Sequence, residues 1–186
     1  QYFHISPKGN WENKIILTEI KTPPESIIIK LKNLRNNKKK PFFDNKVQFD
    51  LNCLWISALI SAEKILPKNN YLKLAETYYD NLEKFFFKAD KIYHTNSKTS
   101  VFLEDYAYAI AMLLDLSDQT LKPNYLLKAK ELCKKTIELF YIKEKSIFQK
   151  SLISNNDLFH KPLDISDNNI SNGNSIMLLN FSRLGM

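Results

Sequence analysis

The sequence predicts an all-α fold of helical hairpins stacked around an axis, and three observations predict it. Residues 53–60, 109–114 and 176–179 form helical runs that are apolar on every side, so each must be covered all round. The first two are followed by an amphipathic helix that suits an outer layer. All three are preceded by a polar mouth: Asp50-Leu51-Asn52, Glu104-Asp105 and Asn172-Gly173-Asn174-Ser175. With Asn52, Glu104 and Asn174 as markers the units are spaced 52 and 70 residues apart, the period of an array with one inner and one outer helix per unit. Inner helices buried on all sides favour a closed ring, an (α/α) toroid; an open solenoid is the alternative.

Taken in order, residues 1–21 read as loop and extended chain around the turn Pro7-Lys8-Gly9-Asn10. Thr22-Pro23-Pro24-Glu25 is a helix start with Thr22 as its cap, and apolar Ile27, Ile28, Leu31 and Leu34 carry that helix over about 24–38, ended by Pro41. Asp50 can cap the first inner helix, which Pro67 stops. The helix over 71–87 places Leu74, Ala75, Tyr78, Leu82 and Phe85 on one face. An extended piece at Ile92-Tyr93-His94-Thr95 precedes the second inner helix, 103–116, and its amphipathic partner, 124–141. Ile147-Phe148-Gln149 repeats the extended piece, and a third inner helix from about Asn174 has no outer partner. The expected domain plan is therefore a partial toroid over 1–186. Residues 1–49 supply a leading loop and helix, and 50–186 about two and a half hairpins. The missing initiator Met and the stop at Gly185-Met186 just after a helix suggest a piece of a longer protein.

Composition excludes several function classes. The net charge is +7, but 25 of the 27 basic residues are lysine, interspersed with acids on helix faces, and Lys38-Lys39-Lys40 is the one tight run. Nucleic-acid surfaces favour clustered Arg, so no nucleic-acid partner is expected. No apolar run approaches the ~20 residues that span a bilayer and no signal peptide opens the chain, so the expectation is a cytoplasmic protein without a membrane partner. Cys53 and Cys133, 80 positions apart in apolar helical patterns, read as buried thiols. His4, His94 and His160 are far from one another and from both cysteines, so neither a metal site nor a cofactor is expected.

If the inner helices run the same way, their N-terminal ends gather on one face with the loops 45–52, 95–102 and 155–172, and the polar mouths share one cup. Glu104 and Asp105 are adjacent, so their side chains diverge by about 100° on a helix and cannot form one acid–base couple. The acids that can meet across the cup are Asp44, Asp50, Asp105 and Asp167, and sugar hydrolysis or epimerisation needs such groups to give and take protons. Asp105, Asp50 and Asp167 are the catalytic candidates, with Asp105 the acid expected to hold its proton near neutral pH. The competing reading is that an acid in a first helical turn merely offsets the macrodipole, worth ~0.3–1 kcal/mol. Tyr106, like Trp55, is either core or a sugar-stacking platform. Asn172, Gly173 and Asn174 are either cap chemistry or a close approach to ligand. Lys46 either pairs with Asp44 or contacts substrate.

The motifs Asp44-x-Lys46, Asp50-Leu51-Asn52-x-Leu54, Phe102-Leu103-Glu104-Asp105-Tyr106-Ala107 and Asp167 followed by Ser171-Asn172-Gly173-Asn174-Ser175, with Gly9-Asn10-Trp11-Glu12 upstream, resemble in order and spacing the YyaL-type thioredoxin-domain-containing proteins, relatives of spermatogenesis-associated protein 20. The resemblance implies an upstream thioredoxin-like domain, absent here, and a toroid of the six-hairpin glycosidase type similar to sugar 2-epimerases, of which this chain is the later part. It also implies a carbohydrate ligand contacted by Asp44, Lys46, Asn52, Glu104, Tyr106, Asn172, Gly173 and Asn174, and packing against the missing hairpins and the thioredoxin-like domain. A catalytically silent scaffold that presents that domain to partners is the alternative.

Overall fold

The computed structural model describes residues 2–88, 91–154 and 163–186. The chain divides into two compact units, Gln1–Asp44 and Asn45–Met186. The first holds a loop region with antiparallel bridges Phe3↔Glu19 and Trp11↔Lys14, followed by α1 (Glu25–Asn36), which buries no residue. Its N-cap is Pro24 and makes no side-chain cap bond, so Thr22 does not play the capping role expected of it.

The second unit carries the hairpins. Inner helix α2 (Phe49–Ile65) turns through Pro67–Asn69 into outer helix α3 (Tyr71–Phe86). Inner helix α4 (Leu103–Thr120) is followed by outer helix α5 (Pro123–Phe140), and α6 (Gly173–Leu184) begins a third repeat. Each outer helix runs into a two-stranded ribbon, β1 (Phe87–Lys88) with β2 (Lys91–Ile92) and β3 (Tyr141–Ile142) with β4 (Ile147–Phe148), both antiparallel. These are the extended pieces the sequence predicts.

Packing follows the apolar patterns. α4 sits between α2 and α6 and against α5, and it is buried from Asp105 to Ile110 without interruption. At its far end Asp115 accepts a hydrogen bond from Ser57 of α2 at 2.7 Å and pairs with Arg183 of α6 at 2.9 Å, joining the three inner helices in one clamp. The outer layer is joined by Tyr79 and Tyr125, whose rings meet edge-on at 5.3 Å, and by the ion pairs Lys122–Glu76 and Lys128–Glu83.

The mouths are held by a bond pattern that repeats. The first N–H of α2, from Phe49, donates to the His94 carbonyl at 2.8 Å; the first N–H of α4, from Leu103, donates to the Lys150 carbonyl at 2.9 Å. Isolated bridges Gln48↔Thr95 and Phe102↔Ser151 flank these bonds. α2 and α4 thus each have a free N-terminal donor satisfied by the loop that leads into the next repeat, whereas α6 is capped by Asn172.

α2 departs from the expectation that it is covered on all sides. Cys53, Ile56, Leu59 and Ile60 are buried, but Trp55 is 51% exposed, as is much of Leu51, because no described helix of the second unit flanks α2 on that side. The opposite end of the row is open too: Met177 is buried while Leu178 is 73% exposed, and Ile137, Tyr141, Phe148, Phe181 and Met186 line an apolar groove beside α6. Open apolar flanks of this kind promote association. We expect the 186-residue chain to self-associate in analytical ultracentrifugation, and Trp55→Glu with Leu178→Lys to shift it toward monomer; a wild-type chain that stays monodisperse at high concentration contradicts this.

Candidate functional site

Among the described residues the mouths of α2, α4 and α6 meet around a cavity of about 310 Å³ lined by Asp50, His94, Phe102, Glu104, Lys150, Asp164, Ser166, Asn168, Ile170, Ser171 and Asn172. The repeats explain the lining. Asp50 and Glu104 are each the second residue of an inner helix, and His94 and Lys150 are the two residues whose carbonyls receive the helix-opening N–H.

The centre of the site is His94 on Asp105. His94 Nδ1 lies 2.9 Å from Asp105 Oδ1, while Asp105 Oδ2 accepts the backbone N–H of Phe102 at 2.8 Å. The ring meets Phe102 edge-on at 5.0 Å, and Gln48 Nε2 lies 3.4 Å from His94 Nε2. An amide N–H can only donate, so this arrangement matches the tautomer with its proton on Nδ1, shared with Asp105, and with Nε2 as an acceptor. Asp105 itself is 0% exposed and lies beneath the histidine. Burial raises its pKa to about 6, Asp50 adds to the rise, and the Phe102 N–H and His94 oppose it. Asp105 thus accepts the Phe102 N–H while burial raises its proton affinity.

The ligating atoms of Asp50, His94 and Asp105 lie within 4.8 Å of one another, the set among the described residues compact enough to hold a cation. Both Asp105 oxygens and His94 Nδ1 are spent on each other and on the Phe102 N–H, and Asp50 Oδ1 accepts the Leu51 N–H. Below it, burial, with Asp105 and Asp50 adding to the effect, pushes the Cys53 thiol well above its ordinary pKa, which removes it as a nucleophile.

The other predicted site residues fall in several places. Asp50 is buried and lines the cavity; it does not cap α2, whose N-cap is Gln48, and its Oδ1 accepts the Leu51 N–H instead. Glu104 lines the cavity, with Oε2 buried and lacking a hydrogen-bond partner. Asn172 lines it while capping α6 through the N–H groups of Asn174 and Ser175. Asp167 is an exposed residue of the rim loop, holding the Asn172 backbone and side-chain N–H groups at 2.9 and 3.0 Å. Asn52 donates to the Gln48 carbonyl. Asn174 pairs with both backbone groups of Phe148 and so ties α6 to β4. Tyr106 packs on Phe140 in the core and borders a different cavity. Asp44 ends the first unit and Lys46 is an exposed residue of the second, outside the cavity lining. His160 and residues 155–162 of the third expected loop lie outside the described residues.

Gly173 has a packing reason. A Cβ there would come within 2.5 Å of Leu103 Cγ, so glycine lets the mouths of α4 and α6 close on each other. Sequence reasoning missed His94, Lys150 and Asp164. His94 was set aside because no other histidine or cysteine is near it in sequence, whereas its partner is a carboxylate on the next helix. Aligning the repeats on their extended pieces sets Ile92 on Ile147 and so His94 on Gln149; the match of His94 with Lys150 comes from the register of the bridges Gln48↔Thr95 and Phe102↔Ser151.

Two outcomes follow for stability. Gly173→Ala should cost about 1–3 kcal/mol in denaturant unfolding through overpacking on Leu103, and Leu103→Ala in the same chain should relieve the clash. For Asp105 a folded-state pKa of about 6 lies above that of the unfolded chain, so the group favours folding at low pH and this contribution is lost as pH rises through about 6. Over that window the wild type should lose up to about 3 kcal/mol relative to Asp105→Asn; parallel pH–stability curves for the two proteins would contradict the assignment.

No family model matches the sequence, and no curated protein matches it. The fold has counterparts among solved structures. It is similar to cellobiose 2-epimerase from Bacillus thermoamylovorans B4167, with a TM-score of 0.60 and 17% identity over 76% of this chain and 39% of that one. It is also similar to D-mannose isomerase, with a TM-score of 0.57 and 16% identity over 82% of this chain and 40% of that one. The chain spans about two-fifths of the length of these neighbours, and it shares with these sugar epimerase and isomerase structures the α/α toroid fold of the six-hairpin glycosidase-like type.

Proposed function

We propose that the cavity at the three helix mouths binds a carbohydrate and moves a proton on it, with His94 as the proton carrier. The observation that carries this reading is the His94–Asp105 pair: an imidazole on the cavity wall with a buried carboxylate behind it. Asp105 acts as a positioning residue that fixes the tautomer and stabilises the imidazolium formed when Nε2 takes a proton. The sugar-directed activities named for the two fold neighbours support the choice of substrate class.

Geometry narrows the chemistry. One ligating atom of Asp50 and one of His94 fall within 4.8 Å of each other, which supports a reading in which both serve the same face of a bound sugar. One-sided removal and return of a proton moves a carbonyl along the chain, as in aldose–ketose isomerisation; inversion at a carbon needs a second group on the opposite face. Asp50 accepts a sugar hydroxyl hydrogen, and Asp167 serves by holding Asn172 and the α6 mouth in place.

On the same reading the 186 residues are the later part of a longer toroid that follows a thioredoxin-like domain. The motif resemblance and the open flanks at Trp55 and Leu178 support this, and further hairpins would cover those flanks. Two buried free thiols, Cys53 and Cys133, suit a cytoplasmic setting.

The test uses the full-length protein. Mono- and disaccharides titrated by calorimetry should give binding heat, and a sugar that binds should take up deuterium at the carbon beside its carbonyl in D2O, followed by NMR. His94→Gln should abolish exchange, and Asp105→Asn should slow it about 100-fold while leaving binding within a few-fold. Absence of sugar heat, with partner capture that depends on the upstream domain, would favour the scaffold.

A further inference from the structure

Taking a proton from the carbon beside a carbonyl leaves negative charge on the carbonyl oxygen, and His94 with Asp105 deals only with the proton. A donor for that oxygen is needed as well. The charge would develop beside carboxylates, since Asp50, Glu104 and Asp164 all line the cavity. The N-terminal ends of α2, α4 and α6 each offer the equivalent of roughly half an elementary charge, but several of their donors are already taken. Phe49 gives its N–H to the His94 carbonyl, Leu103 to the Lys150 carbonyl, and Asn174 and Ser175 to Asn172 Oδ1.

Among the described residues of the lining, Lys150 carries the one fixed positive charge. By the register of the bridges it stands at the α4 mouth where His94 stands at the α2 mouth, so the two side chains come from neighbouring mouths of the same cavity. The Lys150 backbone is held on both sides: Gln149 donates its N–H to the Phe140 carbonyl at 2.9 Å, and the Lys150 carbonyl accepts from Leu103 at 2.9 Å. Its side chain is less committed. The ammonium lies 3.7 Å from Asp164 Oδ2, beyond hydrogen-bond length, and makes no hydrogen bond among the described residues. Asp164 can therefore hold the charge at the cavity while the three N–H donors of the ammonium stay available. The neutral donors are poorer candidates: Asn172 Nδ2 is engaged by Asp167 at 3.0 Å, and Ser166 and Asn168 offer uncharged groups, whose hydrogen bonds are about half as strong as those of an ammonium.

We propose that Lys150 is a catalytic residue of this site, its ammonium binding the carbonyl oxygen of the sugar while His94 takes the proton from the neighbouring carbon. This rests on the proton-transfer reading of the same cavity. In the step the C–H bond breaks and its proton goes to His94 Nε2. The C–H electron pair forms a carbon–carbon double bond, and the carbonyl π pair moves onto the oxygen, where the ammonium holds the charge and keeps its own protons. Return of a proton from His94 to carbon reverses the flow.

Deuterium uptake by D-glucose, D-mannose, D-fructose and cellobiose in D2O, followed by NMR on the full-length protein with calorimetry for binding, tests the proposal. Lys150→Met and Lys150→Gln should each slow exchange about 100- to 1,000-fold while the dissociation constant moves less than about threefold. Both variants keep the backbone carbonyl that Leu103 uses, and circular dichroism melting checks that they fold. Asp164→Asn, which removes the ion pair and keeps the ammonium, should slow exchange less than about tenfold. Exchange by both lysine variants at the wild-type rate, a loss seen only as weaker binding, or a loss matched by Asp164→Asn overturns the inference and leaves the proton-transfer reading standing. A wild-type protein that exchanges none of the four sugars overturns both.

Discussion

The hydrogen bond from the first N–H of an inner helix to the loop of the following repeat is the constraint on which the rest depends. A helix begins with donors that have no partner in the helix, and a buried beginning cannot leave them to water. Phe49 and Leu103 are both buried, and both find their acceptor in the same place, at the residue that leads toward the next inner helix. Satisfying the donors in this way fixes the direction and height of each inner helix relative to its neighbour. The mouths then have to open on one face, and the clamp of Ser57, Asp115 and Arg183 holds the opposite ends in register.

The cavity at the mouths follows from that constraint. His94 offers its carbonyl to α2 and its imidazole to Asp105 of α4, so one residue joins the two helices and also faces the cavity. The turn that allows this runs through Thr95 and Lys98, where Lys98 adopts a left-handed conformation at φ 59° and donates its N–H to the Thr95 carbonyl. Lys150 fills the matching position one repeat later. Asp105, in the first turn of α4, satisfies the Phe102 N–H, and its depth raises its pKa to about 6.

Much of the fold was legible because its main signal is local. The period of apolar residues located the six helices of the described residues to within a few residues, the mouth motifs marked where inner helices begin, and the ribbons after α3 and α5 appeared as short β-branched and aromatic runs. Contacts between distant residues were harder to read. Trp55 sits in a run with no polar face and looks buried, but burial needs a neighbour as well as a pattern. Asp50 has the residue type and position of a cap, yet Gln48 occupies the cap because the strand-like bridge to Thr95 pulls the helix start back by two residues. His94 and Asp105 are 11 residues apart on different elements, and only the turn between them shows that they meet.

The central claim is that a buried carboxylate holds His94 in one tautomer, with Nδ1 on Asp105 and Nε2 as the acceptor beside Gln48. Nitrogen-15 NMR of the imidazole tests this most directly, because the shifts of the two ring nitrogens report which one carries the proton. The account predicts a neutral His94 protonated on Nδ1, with Nε2 unprotonated, and loss of that single state in Asp105→Asn. A wild-type ring protonated on Nε2, or a spectrum unchanged by removing the Asp105 charge, would contradict it.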